Sequence, residues 1–112
     1  MLEGIASGIE RYLTLLSSRQ KLVASNIANA DTPGYKTKDI DFRSEFESQM
    51  LDPTPRVVDV AGLKTKNDGN NVDMDREARL LAENALRFNI ASNLARSELR
   101  LVKEAIEEGK SS

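Results

Sequence analysis

Asp73, Asp75 and Glu77 place three carboxylates on alternating positions, the donor chemistry of a hard cation such as calcium. An EF-hand loop also needs oxygen ligands at its alternate positions and glycine at its sixth. Counting from Asp68, the fifth position is Val72 and the sixth is Asp73, so the pattern fails. The cluster reads instead as the start of a helix, with Asp73 or Asp75 as N-cap and acids facing the positive end of the macrodipole. Asp39 and Asp41 could form a carboxylate pair for acid–base work. The chain has no His and no Cys, and no Gly-rich phosphate loop accompanies the pair, which reads as part of a solvated loop. Ser25 has no general base to activate it. The residues therefore predict no catalytic group, no cofactor and no metal.

What remains is the run Asn26-Ile27-Ala28-Asn29-Ala30-Asp31-Thr32-Pro33-Gly34-Tyr35-Lys36. Thr32-Pro33-Gly34-Tyr35 has the composition of a type II turn, with Pro fixing φ at the second position and Gly accepting φ > 0 at the third. Pro33 disfavours helical backbone at Thr32, so a helix arriving from the N-terminal side should stop near Asn29 to Asp31. The amides of Asn26 and Asn29 are expected to satisfy carbonyls at that helix end. Tyr35 is expected to pack back on the helices.

Two long periodic segments flank this run. Apolar residues at Leu2, Ile5, Ile9, Tyr12, Leu16, Val23, Ile27 and Ala30 alternate steps of three and four, interrupted only at Gln20. The mean step of about 3.5 is that of a supercoiling helix, predicted here from about Glu3 to Asn29. Leu13, Leu15 and Leu22 broaden the stripe. The second segment carries Met74, Ala78, Leu81, Ala85, Phe88, Ala95, Leu99, Val102 and Ile106, interrupted at Ser92. A second line, Leu86, Ile90, Leu94, Leu101 and Ala105, widens that apolar face. This helix is predicted from about Met74 to Glu108, with Gly109 as a C′ stop. A lone helical hairpin would bury one line on each helix, whereas stripes this wide imply partners.

Between the helices the signals are shorter. Ile40 and Phe42 sit two apart, either as an extended piece on apolar surface or as a loop pinned by one aromatic. Ser44 to Leu51 predicts a short helix with Phe46 and Met50 on one face, capped by Ser44 with Glu47 three residues on, and ended by Asp52-Pro53-Thr54-Pro55. Arg56 to Lys66 reads as strand, with Val57, Val58 and Val60 ahead of Ala61-Gly62 as a hairpin turn. Asp68-Gly69-Asn70 reads as a tight turn.

At 112 residues the chain is one domain with room for only a thin core. Its 30% charged residues sum to a net −2, spread through both halves, which leaves no footprint for nucleic acid and no polybasic surface for an anionic membrane. No run reaches the ~18 apolar residues of a membrane span, and Met1-Leu2-Glu3-Gly4-Ile5 lacks the basic n-region and continuous apolar h-region expected of a cleaved signal peptide.

Ala24 to Lys36 resembles the N-terminal signature of bacterial flagellar axial proteins, the rod, hook and hook-associated components. Gly69 to Glu77 and Ala82 to Phe88 are similar to the C-terminal half of a basal-body rod member. The short chain and Asp39-Ile40-Asp41-Phe42 favour such a member over longer rod and hook proteins, while residues 43–68 carry little of the likeness. The resemblance implies an all-α protein: two long terminal helices paired as an antiparallel coiled coil, over 1–30 and 73–109, with an irregular middle at 31–72 and a tail at 110–112. It implies a structural role in a helical tube that transmits torque. It further implies, as partners, other rod subunits, a rod-base adaptor protein, the membrane ring and the flagellar type III export apparatus. Its place would be the periplasmic rod, reached without a cleaved signal. The alternative is a cytosolic helical-hairpin adaptor or chaperone-like binding protein. The residues expected at assembly seams are Ile5, Ile9, Tyr12, Leu16, Val23, Ile27, Leu81, Ala85, Phe88, Ile90, Leu94, Leu99, Val102 and Ile106. Those expected at the signature turn are Asn26, Asn29, Asp31, Thr32, Pro33, Gly34 and Tyr35.

Overall fold

Two helices of unequal length run antiparallel and set the shape of the molecule, 71 × 26 × 17 Å in a computed structural model that describes residues 2–48 and 54–111. The first helix, α1, is Leu2–Ala28, one residue off the predicted span at each end. The last, α3, is Met74–Ser111, 38 residues in length. Among the described residues three short elements lie between them: strand β1 (Lys38–Ile40), helix α2 (Phe42–Glu47) and strand β2 (Val57–Asp59). Asn26 near the end of α1 meets Glu77 near the start of α3, and Gln20 meets Asn84 one turn to two turns further along, so the chains progress in opposite directions.

The core is thin, as a chain this short requires. Leu15, Leu16 and Val23 of α1, Ile40 of β1, and Val72, Leu80 and Ala91 are its buried apolar residues. At the break in the α1 stripe, Gln20 Oε1 accepts a hydrogen bond from Asn84 Nδ2 at 3.2 Å, so the interruption is a paired amide contact across the helix interface. Tyr12 stacks edge-on against Phe42 and Phe46, at 5.4 and 5.6 Å between ring centroids, and this holds α2 against α1.

Several predicted details change. The small antiparallel sheet is present, yet β2 pairs with β1, Lys38 opposite Asp59 and Ile40 opposite Val57, instead of with a strand beyond Gly62. A three-residue strand needs a partner already anchored, and β1 is fixed to α1. Helix α2 starts earlier than predicted and its cap is Asp41, whose side chain accepts from the Ser44 backbone N–H, in place of Ser44. Met50 and the Asp52-Pro53 stop lie outside the described residues. Gly109 does not end α3: it lies inside the helix and is not among the positive-φ glycines.

The larger correction concerns α3. The face it buries against α1 carries Glu77, Leu80, Asn84 and Ala91, which belong to neither predicted apolar line. Leu81 and Phe88 of the first line stay exposed, and so do Leu86, Ile90 and Leu94 of the second. The polar residues occupy the interior because each finds a hydrogen-bonding partner there. That displaces both apolar lines to the flanks of the seam.

Candidate functional site

Where α1 ends, buried amides take over the bonding that secondary structure supplies elsewhere. Asn26 is fully buried and uses its whole capacity. Its Nδ2 donates to the Lys38 carbonyl (2.8 Å) and to the Glu77 carboxylate, while its Oδ1 accepts from the Lys38 N–H (3.0 Å) and the Tyr35 hydroxyl (2.9 Å). Asn26 thus stands in for a neighbouring strand beside β1. Asn29 does what the sequence leads one to expect, its Nδ2 donating to the Ser25 carbonyl at 2.8 Å. Tyr35 lies half-buried on the end of α1.

The turn has its predicted form. Tyr35 N–H donates to the Thr32 carbonyl at 3.2 Å and Gly34 has φ +76°, the type II arrangement. A second glycine turn locks onto it. Gly69, at φ +87°, lies so close that a Cβ there would sit 3.3 Å from the Gly34 Cα, and Gly34 N–H donates to the Asp68 carbonyl at 2.9 Å. Asn70, fully buried, donates from Nδ2 to the carbonyls of Asn29 (2.9 Å) and Thr32 (2.8 Å) and accepts from Val72 N–H (2.9 Å). Asn71 Oδ1 accepts from the buried Thr37 N–H at 2.7 Å. The segment leading into α3 is thereby tied to the segment leaving α1.

Beneath this lies an alternating chain of charge. Asp39 receives Arg19 in a bidentate pair (3.1 and 2.9 Å) and Arg76 at 2.6 Å; Arg76 then reaches both oxygens of Glu77, at 3.1 and 2.9 Å. Asp39 is buried, which overturns its reading as part of a solvated loop. Asp41, its supposed partner in an acid pair, is an exposed helix cap. Asp73 caps α3, its Oδ1 accepting from the N–H groups of Asp75 and Arg76. Among the described residues no three acidic side chains converge as a metal site would need. The junction is chemistry for holding two helix ends and a loop in register.

Of the signature-turn residues, Asn26, Asn29, Gly34 and Tyr35 join this network, Thr32 bonds Asn29 Oδ1 through its hydroxyl, and Asp31 and Pro33 are exposed. Of the seam residues, Leu16 and Val23 are buried, Ile9, Tyr12, Ile27 and Val102 half-buried, and Ile5, Leu81, Ala85, Phe88, Ile90, Leu94, Leu99 and Ile106 exposed. Sequence reasoning missed Arg19, Asp39, Asn70, Asn71, Arg76 and Glu77 as one cluster. The available signal was the surplus of amides and the mixed face of Glu77, Leu80 and Asn84.

Two apolar grooves flank the α1–α3 contact. One, about 420 Å³, lies between Gly4, Ile5, Gly8 and Tyr12 of α1 and Ile90 and Leu94 of α3. The other, about 530 Å³, lies between Leu16, Gln20 and Ala24 of α1 and Ala85 and Phe88 of α3. Ile90 and Leu94 of one exposed line wall the first groove, and Ala85 and Phe88 of the other wall the second.

Comparison with known proteins places this helix pair and its junction among the basal body rod proteins of the bacterial flagellum. A family model described as "Flagella basal body rod protein" matches residues 13–36, which run from α1 through the turn. The flagellar basal body rod protein FlgB of Salmonella typhimurium is 33% identical over 125 aligned positions, covering 89% of this chain and 91% of that protein. FlgB of Escherichia coli K12 is 32% identical with the same coverage, and FlgB of Borrelia hermsii is 32% identical over 86% of this chain and 90% of its own length. The chain belongs to the FlgB family of flagellar basal body rod proteins.

The turn supports a direct test. Gly34→Val places a β-branched residue at φ +76° and should destabilise the junction by about 2 kcal/mol or more, whereas Gly34→Asn should cost about 1 kcal/mol or less, since Asn tolerates the left-handed region. Urea denaturation of the purified variants measures the difference, and motility should fall in the same order. Equal stability of the two would show that the left-handed backbone at Gly34 carries no weight.

Proposed function

We propose that this chain is a structural subunit of the proximal flagellar rod, a single domain that joins its neighbours through the exposed flanks of its terminal helices. The observation that carries this reading is the pair of apolar lines on α3, Leu81 and Phe88 on one side and Leu86, Ile90 and Leu94 on the other, left uncovered by the subunit's own fold. Apolar faces of that extent mark interfaces. Contacts that join different surfaces of successive copies produce a helical array, the form a torque-carrying tube needs.

Its partners are other rod subunits, and at the base the adaptor protein and membrane ring. It reaches the periplasm through the flagellar type III apparatus, without a cleaved signal peptide, and performs no catalysis. A net charge of −2 supports neither nucleic-acid nor anionic-membrane binding. No helix among the described residues is long and apolar enough to cross a membrane.

Deleting the gene tests the reading. Deletion strains should be non-motile, with basal bodies that stop before the rod, and a plasmid copy should restore both. A strain that swims without the gene, or one whose subunit stays wholly in the cytosol while rods complete, would overturn it.

A further inference from the structure

We infer that Asp68-Gly69 is a self-modification site: a chain held unfolded converts Asp68 to isoaspartate, and the closed junction suppresses that reaction. In this sequence Asp68 is the one aspartate or asparagine followed directly by glycine. The side chain of a following residue hinders attack by its own amide nitrogen, and glycine has none to do so. In an open chain the Gly69 nitrogen reaches the Cγ of the protonated Asp68 carboxyl and closes a five-membered succinimide. The amide proton and the carboxyl hydroxyl leave together as water. Water then re-enters at either carbonyl. At Cγ it restores aspartate, and at the α-carbonyl it leaves the main chain running through Cγ. No oxidant or cofactor takes part.

The fold holds the reacting groups apart. Gly69 N–H donates to the Lys66 carbonyl at 2.9 Å, and Asp68 Oδ1 accepts from Asn70 N–H at 3.0 Å. The nucleophile is thus turned back along the chain and the carboxyl forward. The Asp68 carbonyl accepts from Gly34 N–H at 2.9 Å, and the Gly69 carbonyl accepts from Lys36 Nζ at 2.5 Å. Asn70, next in sequence, is fully buried and bonded to the carbonyls of Asn29 and Thr32. Asp68 itself is exposed, so water is at hand and only backbone freedom is lacking. Ring closure must wait for the junction to open, and its rate falls by the fraction of time spent open.

Conversion would also damage the junction. It adds one methylene to the main chain between Asp68 and Gly69 and turns the α-carbonyl into a charged branch. That carbonyl is the acceptor for Gly34 N–H. Gly69 already lies so near that a Cβ there would stand 3.3 Å from the Gly34 Cα. A longer, displaced backbone at this point cannot keep the two turns in contact. A chain that has folded is therefore protected, and one that has aged unfolded closes its junction poorly. The inference concerns the single subunit and does not depend on the rod reading.

The test incubates the full chain in parallel in native buffer and in concentrated guanidinium chloride, at one pH and temperature. Trypsin cuts after Lys66 and Arg76, which places Asp68 in the peptide of residues 67–76. Isomerisation leaves the mass of that peptide unchanged, whereas deamidation of Asn67, Asn70 or Asn71 raises it. Electron-transfer fragmentation then assigns isoaspartate to position 68 rather than 73 or 75. Conversion of Asp68 should be at least about tenfold slower in native buffer than in guanidinium. Gly34→Val, which strains the facing turn, should speed native-buffer conversion by about tenfold. Asp68→Glu, whose carboxyl would need a six-membered ring, should resist conversion in both. Isoaspartate-bearing chain, separated by chromatography and refolded, should unfold at a lower urea concentration than unmodified chain. Equal rates in the two buffers, or no conversion in guanidinium, overturn the inference. A Gly34→Val rate equal to wild type overturns the junction as the shield, and an unchanged urea midpoint overturns the damage to it.

Discussion

Asp39→Ala should cost the fold about 3–5 kcal/mol, a large part of the stability available to a domain of this size. Among the described residues Asp39 is the only acceptor shared by Arg19 and Arg76, and all three side chains are largely buried. Removing the carboxylate leaves the Arg19 guanidinium without its acceptor, facing an Arg76 that keeps only Glu77, with poor access to water. That costs more than the pair contributed when intact, because desolvation of the arginines is no longer offset. The loss should also spread. Asp39 is in β1, and β1 is held by Asn26 through the Lys38 backbone, so the strand, β2 and the Tyr35 contact weaken together. Asp59→Ala provides the comparison. Its partner Lys38 and its own carboxylate are both well exposed, so solvent screens the pair and the variant should stay within about 0.5 kcal/mol of wild type. Urea denaturation followed by circular dichroism reads both. A loss below about 1 kcal/mol for Asp39→Ala would show that the cluster is incidental to the fold.

The contrast between Asp39 and α1 shows where sequence reasoning works on this chain. The span of α1 was legible because hydrophobic spacing and the Pro33 stop are local signals, and both act within one segment. The turn was legible for the same reason: Pro-Gly chemistry fixes φ whatever surrounds it. The burial of Asp39 was not, since its partners lie 20 and 37 residues away and a lone Asp between Lys38 and Ile40 has the texture of a loop. Glu77 and Asn26 are 51 residues apart, and neither looks like a core residue until the other is beside it.

Periodicity misled on α3 for a related reason. It reports where apolar residues lie and assumes that one apolar line faces inward. Here the inward face is set by which polar groups find partners, and the apolar lines stay on the flanks of the seam. Gly109 misled more simply. A glycine permits a helix stop but does not impose one, and no positive φ arises there.

That displacement of the apolar lines fixes the expected behaviour of two further variants. Phe88→Asp and Ile90→Asp should each leave the purified monomer helical and within about 1 kcal/mol of wild type, and each should stop rod completion. Phe88 is 45% exposed and Ile90 53%, so each loses only part of the ~2 kcal/mol that full burial of such a side chain provides. On the proposed assembly the same positions face a neighbour. An aspartate there is an unpaired charge removed from water, at a cost of several kcal/mol for every contact. The two residues wall different grooves, so they test the two flanks separately. Leu16→Asp and Val23→Asp mark the opposite limit. Both wild-type residues are buried between α1 and α3, and the charge should unfold the monomer itself. Circular dichroism of the four proteins, set beside electron microscopy of basal bodies from the same strains, separates loss of fold from loss of assembly. A strain carrying Phe88→Asp that builds complete, rotating flagella would remove that flank from the interface, and Ile90→Asp would do the same for the other.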